Sequence, residues 1–192
     1  MGHMPLAELS NADKSFLKQA AVESIRVAVM EGRKCSVSGF EPYSKRLMIQ
    51  GACFITLLKQ GRLRGCIGTL DAYRSILEDV ICNAYSAAMC DPRFSPVTTE
   101  ELDQLELSIS VLTEPQEVIV TSESELRAGL APQVDGLILQ DGCHRATYLP
   151  SVWEQLPDRT DFIRELKCKA GLPQDYWSST IKCFKYQVQT IK

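Results

Sequence analysis

The segment from Leu105 to Val111 constrains the fold most strongly, because apolar and polar side chains alternate along it without exception. The apolar positions are Leu105, Leu107, Ile109 and Val111, and the polar positions between them are Glu106, Ser108 and Ser110. Successive side chains of a β-strand point to opposite faces of its sheet, so the pattern predicts a strand with one buried face. Such a strand needs neighbouring strands and a second layer that covers its apolar side.

Two segments have the spacing of amphipathic helices and can supply this second layer. Residues 10–32 begin with the capping sequence Ser10-Asn11-Ala12-Asp13 and end at Gly32. Residues 75–89 likewise carry apolar side chains on one helical face. Because a capping residue, a 3.6-residue spacing and a terminal glycine are helix signals, we predict helices over both segments.

Two further segments have the pattern of β-hairpins. Residues 52–58 and 63–70 flank the turn Lys59-Gln60-Gly61-Arg62, and residues 136–140 and 145–149 flank Asp141-Gly142-Cys143-His144. Apolar runs on both sides of a glycine-containing turn are typical of hairpins. The other predicted elements are a helix over 122–130, helical segments over 153–156 and 161–170, a strand over 181–191, and loops over 33–46 and 91–96.

This mixture of helices and hairpins predicts an α+β fold, and 192 residues suit one domain or two lobes that share a core. Each hairpin contains the sequence Gly-x-x-Arg, in which the arginines are Arg64 and Arg145. The two strand–hairpin–helix units are either a duplication or two hairpins that share a common turn residue by chance. A duplication predicts that Arg64 and Arg145 converge on one anion-binding site.

The composition excludes several classes of protein. Hydrophobic residues make up 45% of the chain and charged residues 23%, the formal net charge is -3, and the pI is about 5.5. A chain without a basic excess has little to neutralise phosphates, so neither nucleic acid nor a membrane surface is an expected partner. No apolar run approaches the roughly 18 residues that a transmembrane helix needs.

The ends and the cysteines bear on processing and compartment. Residues 1–4 are interpreted as a cloning scar and a start at Met4, which leaves residues 5–192 as one domain with a larger and a smaller lobe.

The eight cysteines form no Cys-x-x-Cys pair and no Cys/His cluster, so we predict no metal site and no cofactor. Several lie within apolar stretches, which favours reduced thiols over disulfides and predicts a cytoplasmic protein.

The most unusual segment is Leu63 to Thr69, because Gly65 and Gly68 interrupt a predicted strand. Glycines inside a strand mark a bulge, or a stretch of backbone that a ligand or another chain approaches closely. Arg64 offers a planar fork for a carboxylate or phosphate, and Thr69 adds a hydroxyl. These residues are therefore candidates for a ligand site.

Arg64 also has a structural interpretation, in which it pairs with Asp91 or Glu106 beside a kinked strand. The loop Asp91-Pro92-Arg93 places opposite charges around a rigid proline. It either presents Asp91 to a site or clamps the preceding helix to the sheet through salt bridges.

Cys66 is a candidate nucleophile, because a thiolate beside an arginine has a lowered pKa. A cysteine enzyme also needs a general base, and His144 is the histidine that lies outside residues 1–4. The alternatives are that Cys66 is a small strand residue and that His144 is an exposed turn residue.

Several of these segments together resemble the family of the AMME-syndrome candidate protein. The hexapeptide Leu63-Arg64-Gly65-Cys66-Ile67-Gly68 is similar to the family's hallmark Leu-Arg-Gly-Cys-Ile-Gly. Further similar segments, in chain order, are Gly51–Leu57, Asp91–Pro96, Leu107–Leu112, Tyr148–Val152 and Lys169–Leu172. The compact length resembles the prokaryotic members called AmmeMemoRadiSam system protein A. Cys143-His144-Arg145-Ala146 differs from the prokaryotic pattern Gly-Tyr-Arg-Gly, so the resemblance assigns no role to His144.

The resemblance implies a two-lobed α+β fold, with the hexapeptide near a cleft between the lobes. It also implies a cytoplasmic protein that is commonly encoded beside a Memo-like protein and a radical-SAM enzyme, which are therefore the expected partners, but it implies no particular reaction. We therefore expect one of two functions. In the first, the protein binds a small anionic substrate or ligand, with or without catalysis by Cys66, and its candidate binding residues are Arg64, Gly65, Gly68, Thr69, Asp91, Arg93 and Arg145. In the second, the hexapeptide is a structural kink and the protein is a non-catalytic interaction or regulatory module.

Overall fold

The computed structural model describes residues 8–41 and 44–192, and it has the predicted α+β fold. The chain divides into two compact units. The first unit extends to Thr113 and includes Gln189–Lys192 at the end of the chain, and the second is Glu114–Val188. No helix among the described residues is long and apolar enough to cross a membrane.

Four helices and ten strands make up the regular structure of the described residues. In chain order they are α1 (Asn11–Glu31), β1 (Gln50–Gly51), β2 (Cys53–Lys59), β3 (Arg62–Gly68), β4 (Arg74–Ser75), α2 (Ile76–Met89), β5 (Leu105–Leu112), β6 (Gln116–Val118), α3 (Glu123–Gly129), β7 (Gly136–Asp141), β8 (His144–Tyr148), α4 (Arg159–Lys169), β9 (Lys182–Tyr186) and β10 (Val188–Ile191). Short 3-10 helices span Val37–Gly39, Lys45–Met48, Thr99–Gln104 and Pro150–Glu154.

The first unit is a four-stranded sheet covered on one face by α1 and α2. The strand order is β10-β5-β2-β3, and β2 pairs antiparallel with both β3 and β5. Cys53, Ile55 and Leu57 of β2 are buried in the core with apolar side chains of the two helices. Strands β1 and β4 form a separate two-stranded sheet, with β4 leading directly into α2.

The ends of α1 follow the predicted signals. Ser10 is the N-cap and accepts a hydrogen bond from the Asp13 backbone N–H, while the Asp13 carboxylate accepts one from the Ser10 N–H. Gly32 ends the helix with a φ of 67°, a left-handed conformation that glycine adopts without a steric penalty.

The second unit has its own sheet and its own core. Its strand order is β6-β9-β7-β8, with antiparallel pairing at each described interface. Trp153 and Phe162 stack at 3.7 Å between ring centroids, and both are buried in a cluster with side chains of α3, α4 and β7.

The structure corrects several predicted boundaries. The strand predicted over 181–191 is two strands, β9 and β10, which belong to different sheets. The helix predicted over 153–156 is the 3-10 helix Pro150–Glu154. The loop predicted over 33–46 contains the 3-10 helix Val37–Gly39 and the start of Lys45–Met48, and its residues 42 and 43 lie outside the described part. Strand β6 and the pair β1 and β4 were not predicted, because two or three residues are too few to show a period.

The Gly-x-x-Arg sequence occupies a different position relative to the turn and to the paired strand in each of the two hairpins. In the first turn Gln60 and Gly61 both have positive φ, whereas in the second only Gly142 does. Strand β8 begins at His144, so Arg145 is its second residue and lies opposite Gln140. Arg64 is the third residue of β3 and lies at an irregularity. The two arginines are therefore not at equivalent positions.

Candidate functional site

A β-bulge determines the position of Arg64. Along β2 and β3, Leu57 pairs with Gly65 but the next residue, Leu58, pairs with Leu63. Arg64 is therefore the extra residue of the bulge, and such a residue is redirected relative to a regular strand. The bulge predicted from the glycines is thus present beside Gly65.

The guanidinium of Arg64 is almost fully used by intramolecular contacts. Its Nε and Nη2 donate to the two Glu101 carboxylate oxygens at 3.0 and 2.8 Å. Its Nη1 donates to the Ser95 carbonyl at 2.9 Å, and Nη2 also donates to the Pro96 carbonyl at 3.2 Å. Lys59 adds a second cation at 2.9 Å from Glu101. Arg64 is thus a structural anchor, and its acidic partner is Glu101 rather than the predicted Asp91 or Glu106.

Low pH should weaken the ion pair between Arg64 and Glu101 and thereby lower the stability of the fold. The hydrogen bonds from Arg64 hold the pKa of Glu101 at about 2, against an ordinary value of 4.5. Because the folded-state pKa is lowered, the stabilisation is complete above pH 4.5 and is lost as the pH falls towards 2. We expect Glu101→Gln to lower the free energy of unfolding by about 1–2 kcal/mol at pH 7, and the difference from wild type to shrink over this window. Urea unfolding from pH 7 to 2.5 measures this difference, and the exposed Glu106→Gln should show no such convergence.

Asp91 and Arg93 cover the exposed edge of the sheet at Cys66. Strand β3 is an edge strand. The Cys66 backbone N–H donates to Asp91 Oδ2 at 2.8 Å, and Arg93 Nη2 donates to the Cys66 carbonyl at 3.1 Å. Arg93 also makes two hydrogen bonds to the Asp91 carboxylate, which hold the pKa of Asp91 well below its usual range. The pair satisfies the backbone groups that would otherwise bind another strand.

The thiol of Cys66 lies in a row of small polar side chains across the sheet. Its Sγ is 3.4 Å from Thr56 Oγ1, and Thr56 is paired with Cys66 on one side and with Ser108 on the other. His144, the general base considered above, lies in the second unit, where its Nδ1 is 2.9 Å from the Ala170 carbonyl oxygen.

Gly65 and Gly68 allow other parts of the chain to approach. A Cβ on Gly65 would lie 2.2 Å from the carbonyl oxygen of Ala87 in α2. A Cβ on Gly68 would lie 2.3 Å from the Phe54 ring. At Gly65 the backbone of a packed helix makes the close approach, and at Gly68 an aromatic ring of the same chain makes it.

Replacing Gly65 with alanine should therefore separate α2 from β3. We expect Gly65→Ala to lower the free energy of unfolding by about 1–3 kcal/mol, because a backbone carbonyl cannot move aside as a flexible side chain can. Gly39→Ala is the matched control, since a Cβ there meets nothing within 4 Å. Urea unfolding of the two variants distinguishes them, and equal stabilities would contradict the packing role of Gly65.

Thr69 belongs to a buried polar network that sequence reasoning missed. The centre is Asp79 of α2, which is 1% exposed. Its carboxylate accepts hydrogen bonds from the Cys53 backbone N–H, the Thr69 hydroxyl, Arg74 Nε and Asn83 Nδ2, at 2.6–3.0 Å. The hydroxyl of Thr69 is thus engaged within the protein.

A sequence signal for this network does exist. Asp79 and Asn83 are four residues apart and interrupt the apolar face of the predicted helix over 75–89. Polar side chains on a buried face need partners, so their position indicates a buried hydrogen-bond network.

The other predicted features are placed as follows. Arg145 is an exposed residue of β8 in the second unit, whereas Arg64 belongs to the first. All eight cysteines are free thiols. Within the described ranges, no group of three His, Cys, Asp or Glu side chains is arranged to hold a metal ion.

Comparisons with known proteins agree with the resemblance carried by the hexapeptide. The chain matches the model of the AMMECR1 family over residues 18–191. It is 38% identical over 138 residues to a protein of Methanothermobacter thermautotrophicus, covering 71% of this chain and 72% of that protein. It is 35% identical over 153 residues to protein MJ0810 of Methanocaldococcus jannaschii, covering 78% and 76%. Neither name specifies an activity.

A solved structure has the same fold. The crystal structure of the uncharacterized protein PH0010 from Pyrococcus horikoshii is similar with a TM-score of 0.83 and 31% sequence identity, covering 91% of this chain and 88% of that one. From the family match and these similarities, we conclude that the chain belongs to the AMMECR1 family.

Proposed function

We propose that this protein is a non-catalytic interaction module that presents residues 91–96, here called the anchored loop, to a partner protein. The observation that carries the proposal is that the polar groups predicted to bind a ligand hold this loop instead. Arg64 binds the carbonyls of Ser95 and Pro96, and Asp91 binds the backbone of Cys66.

The anchored loop is preformed and its outer side chains are exposed. Asp91 is 4% exposed, whereas the side chains of Pro92, Arg93 and Pro96 face solvent. Two prolines restrict the backbone further. A loop that is already ordered loses little conformational entropy on binding, so more of its contact energy contributes to affinity.

The anchored loop carries two side chains of the kind that dominate protein interfaces, the exposed Arg93 and the half-buried Phe94. The Arg93 guanidinium lies 5.5 Å from the centre of the Phe94 ring. Arginine and aromatic side chains are enriched at interface hot spots. The anchored loop therefore combines a rigid backbone with a suitable contact surface.

The resemblance supplies the candidate partners, which are a radical-SAM enzyme and a Memo-like protein. The test is direct binding of the purified protein to each of these two proteins from the same genome, measured by biolayer interferometry. We expect at least one to bind, and we expect Phe94→Ala to weaken binding about 30-fold, the loss of about 2 kcal/mol that defines an interface hot spot. Tyr73→Ala removes a 61% exposed aromatic ring of the same unit and should leave the affinity unchanged. Absence of binding to both proteins, or equal affinity of wild type and Phe94→Ala, would contradict the proposal.

A second candidate function is binding of a small anion beside Cys66, with or without catalysis by its thiol. The observation that favours it is the solvent exposure of Arg93. Its side chain is 53% exposed, whereas that of Arg64 is 13% exposed. Arg93 Nη1 has no hydrogen-bond partner among the described residues, although Asp91 offsets the charge.

The two functions are separated by a metabolite-binding screen on the wild type, Arg93→Gln and Arg62→Gln. Arg62 is an exposed arginine at the start of β3, the strand that contains Cys66, and provides the control. An anion that binds the wild type and Arg62→Gln but not Arg93→Gln would support the second candidate. A screen without such an anion would leave the interaction module as the better account.

A further inference from the structure

We propose that a cavity in the second unit binds a small phosphate monoester through Arg127 and Arg159. The cavity lies between α3 and the start of α4 and has a volume of about 600 Å³. Sites for small ligands typically have volumes of about 300–1,000 Å³. The inference concerns the second unit alone and does not depend on the anchored loop.

Both arginines line the cavity with unused donors. Arg127 Nη1 is 3.5 Å from the Thr160 hydroxyl, and Arg159 Nε donates to the Leu130 carbonyl at 3.0 Å. Within the described part of the chain, neither arginine forms an ion pair, and Arg127 Nη2 and both Nη atoms of Arg159 have no hydrogen-bond partner. One contact therefore orients each guanidinium, and the remaining N–H groups are available to an oxyanion.

The acidic residue of the cavity, Asp158, forms hydrogen bonds with backbone N–H groups at the start of α4. Asp158 is the N-cap of α4, and its Oδ1 accepts hydrogen bonds from the backbone N–H groups of Thr160 and Asp161 at 2.7 and 3.1 Å. These hydrogen bonds, and to a smaller extent the positive charge of Arg127, lower the pKa of Asp158 and keep it ionised. Two guanidinium groups and one carboxylate thus line the cavity, which leaves a net positive charge for an anionic ligand.

The rest of the lining selects the class of anion. Ser124 and Thr160 add hydroxyl groups; Ser124 Oγ lies 2.9 Å from Ser122 Oγ, and Thr160 Oγ1 lies 3.5 Å from Arg127 Nη1. Together with the two guanidinium groups, they suit the three terminal oxygens of a phosphate monoester better than the two oxygens of a carboxylate. Pro132 and Pro157 provide a rigid apolar wall. The ligand that fits has a phosphate group and a small apolar body.

The test uses phenyl phosphate, inorganic phosphate and benzoate as probes, titrated into the full chain at constant ionic strength. Backbone amide NMR shifts give the dissociation constants and locate the site. We expect phenyl phosphate to bind more tightly than benzoate or inorganic phosphate and to shift the amides of Ser124 and Thr160. Arg127→Gln and Arg159→Gln should each weaken its binding about tenfold or more, because each removes charged hydrogen bonds.

Arg164→Gln is the matched control, since Arg164 lies on α4 but pairs with Asp161 and Glu165. It should bind phenyl phosphate as the wild type does. Equal affinities of the wild type and both cavity variants would overturn the proposal, as would amide shifts confined to other regions. Tighter binding of benzoate would overturn the assignment to phosphate monoesters. Melting curves verify that each variant is folded.

Discussion

Replacing Asp79 with alanine is expected to lower the free energy of unfolding by about 3–5 kcal/mol, the range for breaking a buried ion pair. Asp79 is 1% exposed, and its Oδ1 lies 2.7 Å from Arg74 Nε. Without the carboxylate, Arg74 loses its counter-charge, and the Cys53 N–H and the Asn83 amide lose an acceptor. Each buried donor left without a partner adds a desolvation penalty of about 1–3 kcal/mol.

Two further variants separate the loss of the buried ion pair in Asp79→Ala from the loss of a single hydrogen bond and from the loss of a negative charge. Thr69→Val removes one donor but keeps the ion pair, so it should lower the free energy of unfolding by only about 1 kcal/mol. Asp103→Ala removes the same charge from an exposed position and should change it by less than about 0.5 kcal/mol. Urea unfolding monitored by far-ultraviolet circular dichroism gives all three values. A loss at Asp79 no larger than that at Thr69 would show that the network contributes little.

Elements that depend on residues close in sequence could be predicted from the sequence. The alternation from Leu105 to Val111 predicted β5, and Ser10 and Gly32 predicted the ends of α1. In each case the signal and the structure involve the same few residues. The positions of α1, α2, β2, β3 and β5 along the chain were thus predicted from the sequence.

The direction of Arg64 could not be predicted in this way. It depends on a bulge in the register between β2 and β3, and on Glu101, which lies 37 residues further along the chain. Neither the register nor a distant partner leaves a periodic signal. The single strand predicted over 181–191 is two strands of different sheets for a similar reason. The alternation of side chains continues whichever sheet a strand joins, so it does not show where the chain passes from one sheet to the other.

The hexapeptide and the loop predicted over 91–96 are joined by hydrogen bonds in the structure. Gly65 admits the backbone of α2, Arg64 binds loop carbonyls, and the Cys66 backbone binds Asp91. Each of these residue types has a packing or hydrogen-bonding reason to be where it is. The contacts of the hexapeptide therefore account for its residue types by packing and hydrogen bonding.

Replacing Ile109 with alanine is expected to lower the free energy of unfolding by about 2–5 kcal/mol. Ile109 is 0% exposed and lies opposite Ile55 between the inner strands β5 and β2. Truncation removes apolar surface from the core and leaves a cavity that the paired strands cannot close by moving. A loss below about 1 kcal/mol would contradict the central position of β5.

The probe and the control decide how this result is interpreted. Both tryptophans, Trp153 and Trp177, lie in the second unit, so their fluorescence reports on that unit rather than on the core around Ile109. Far-ultraviolet circular dichroism, which reports on the helices and strands of both units, is therefore the required measurement. Ile119→Ala makes the same truncation at a side chain that is 95% exposed, and it should change the free energy of unfolding by less than about 0.5 kcal/mol. The difference between the two isoleucine variants then measures the burial of Ile109, because the chemical change is identical.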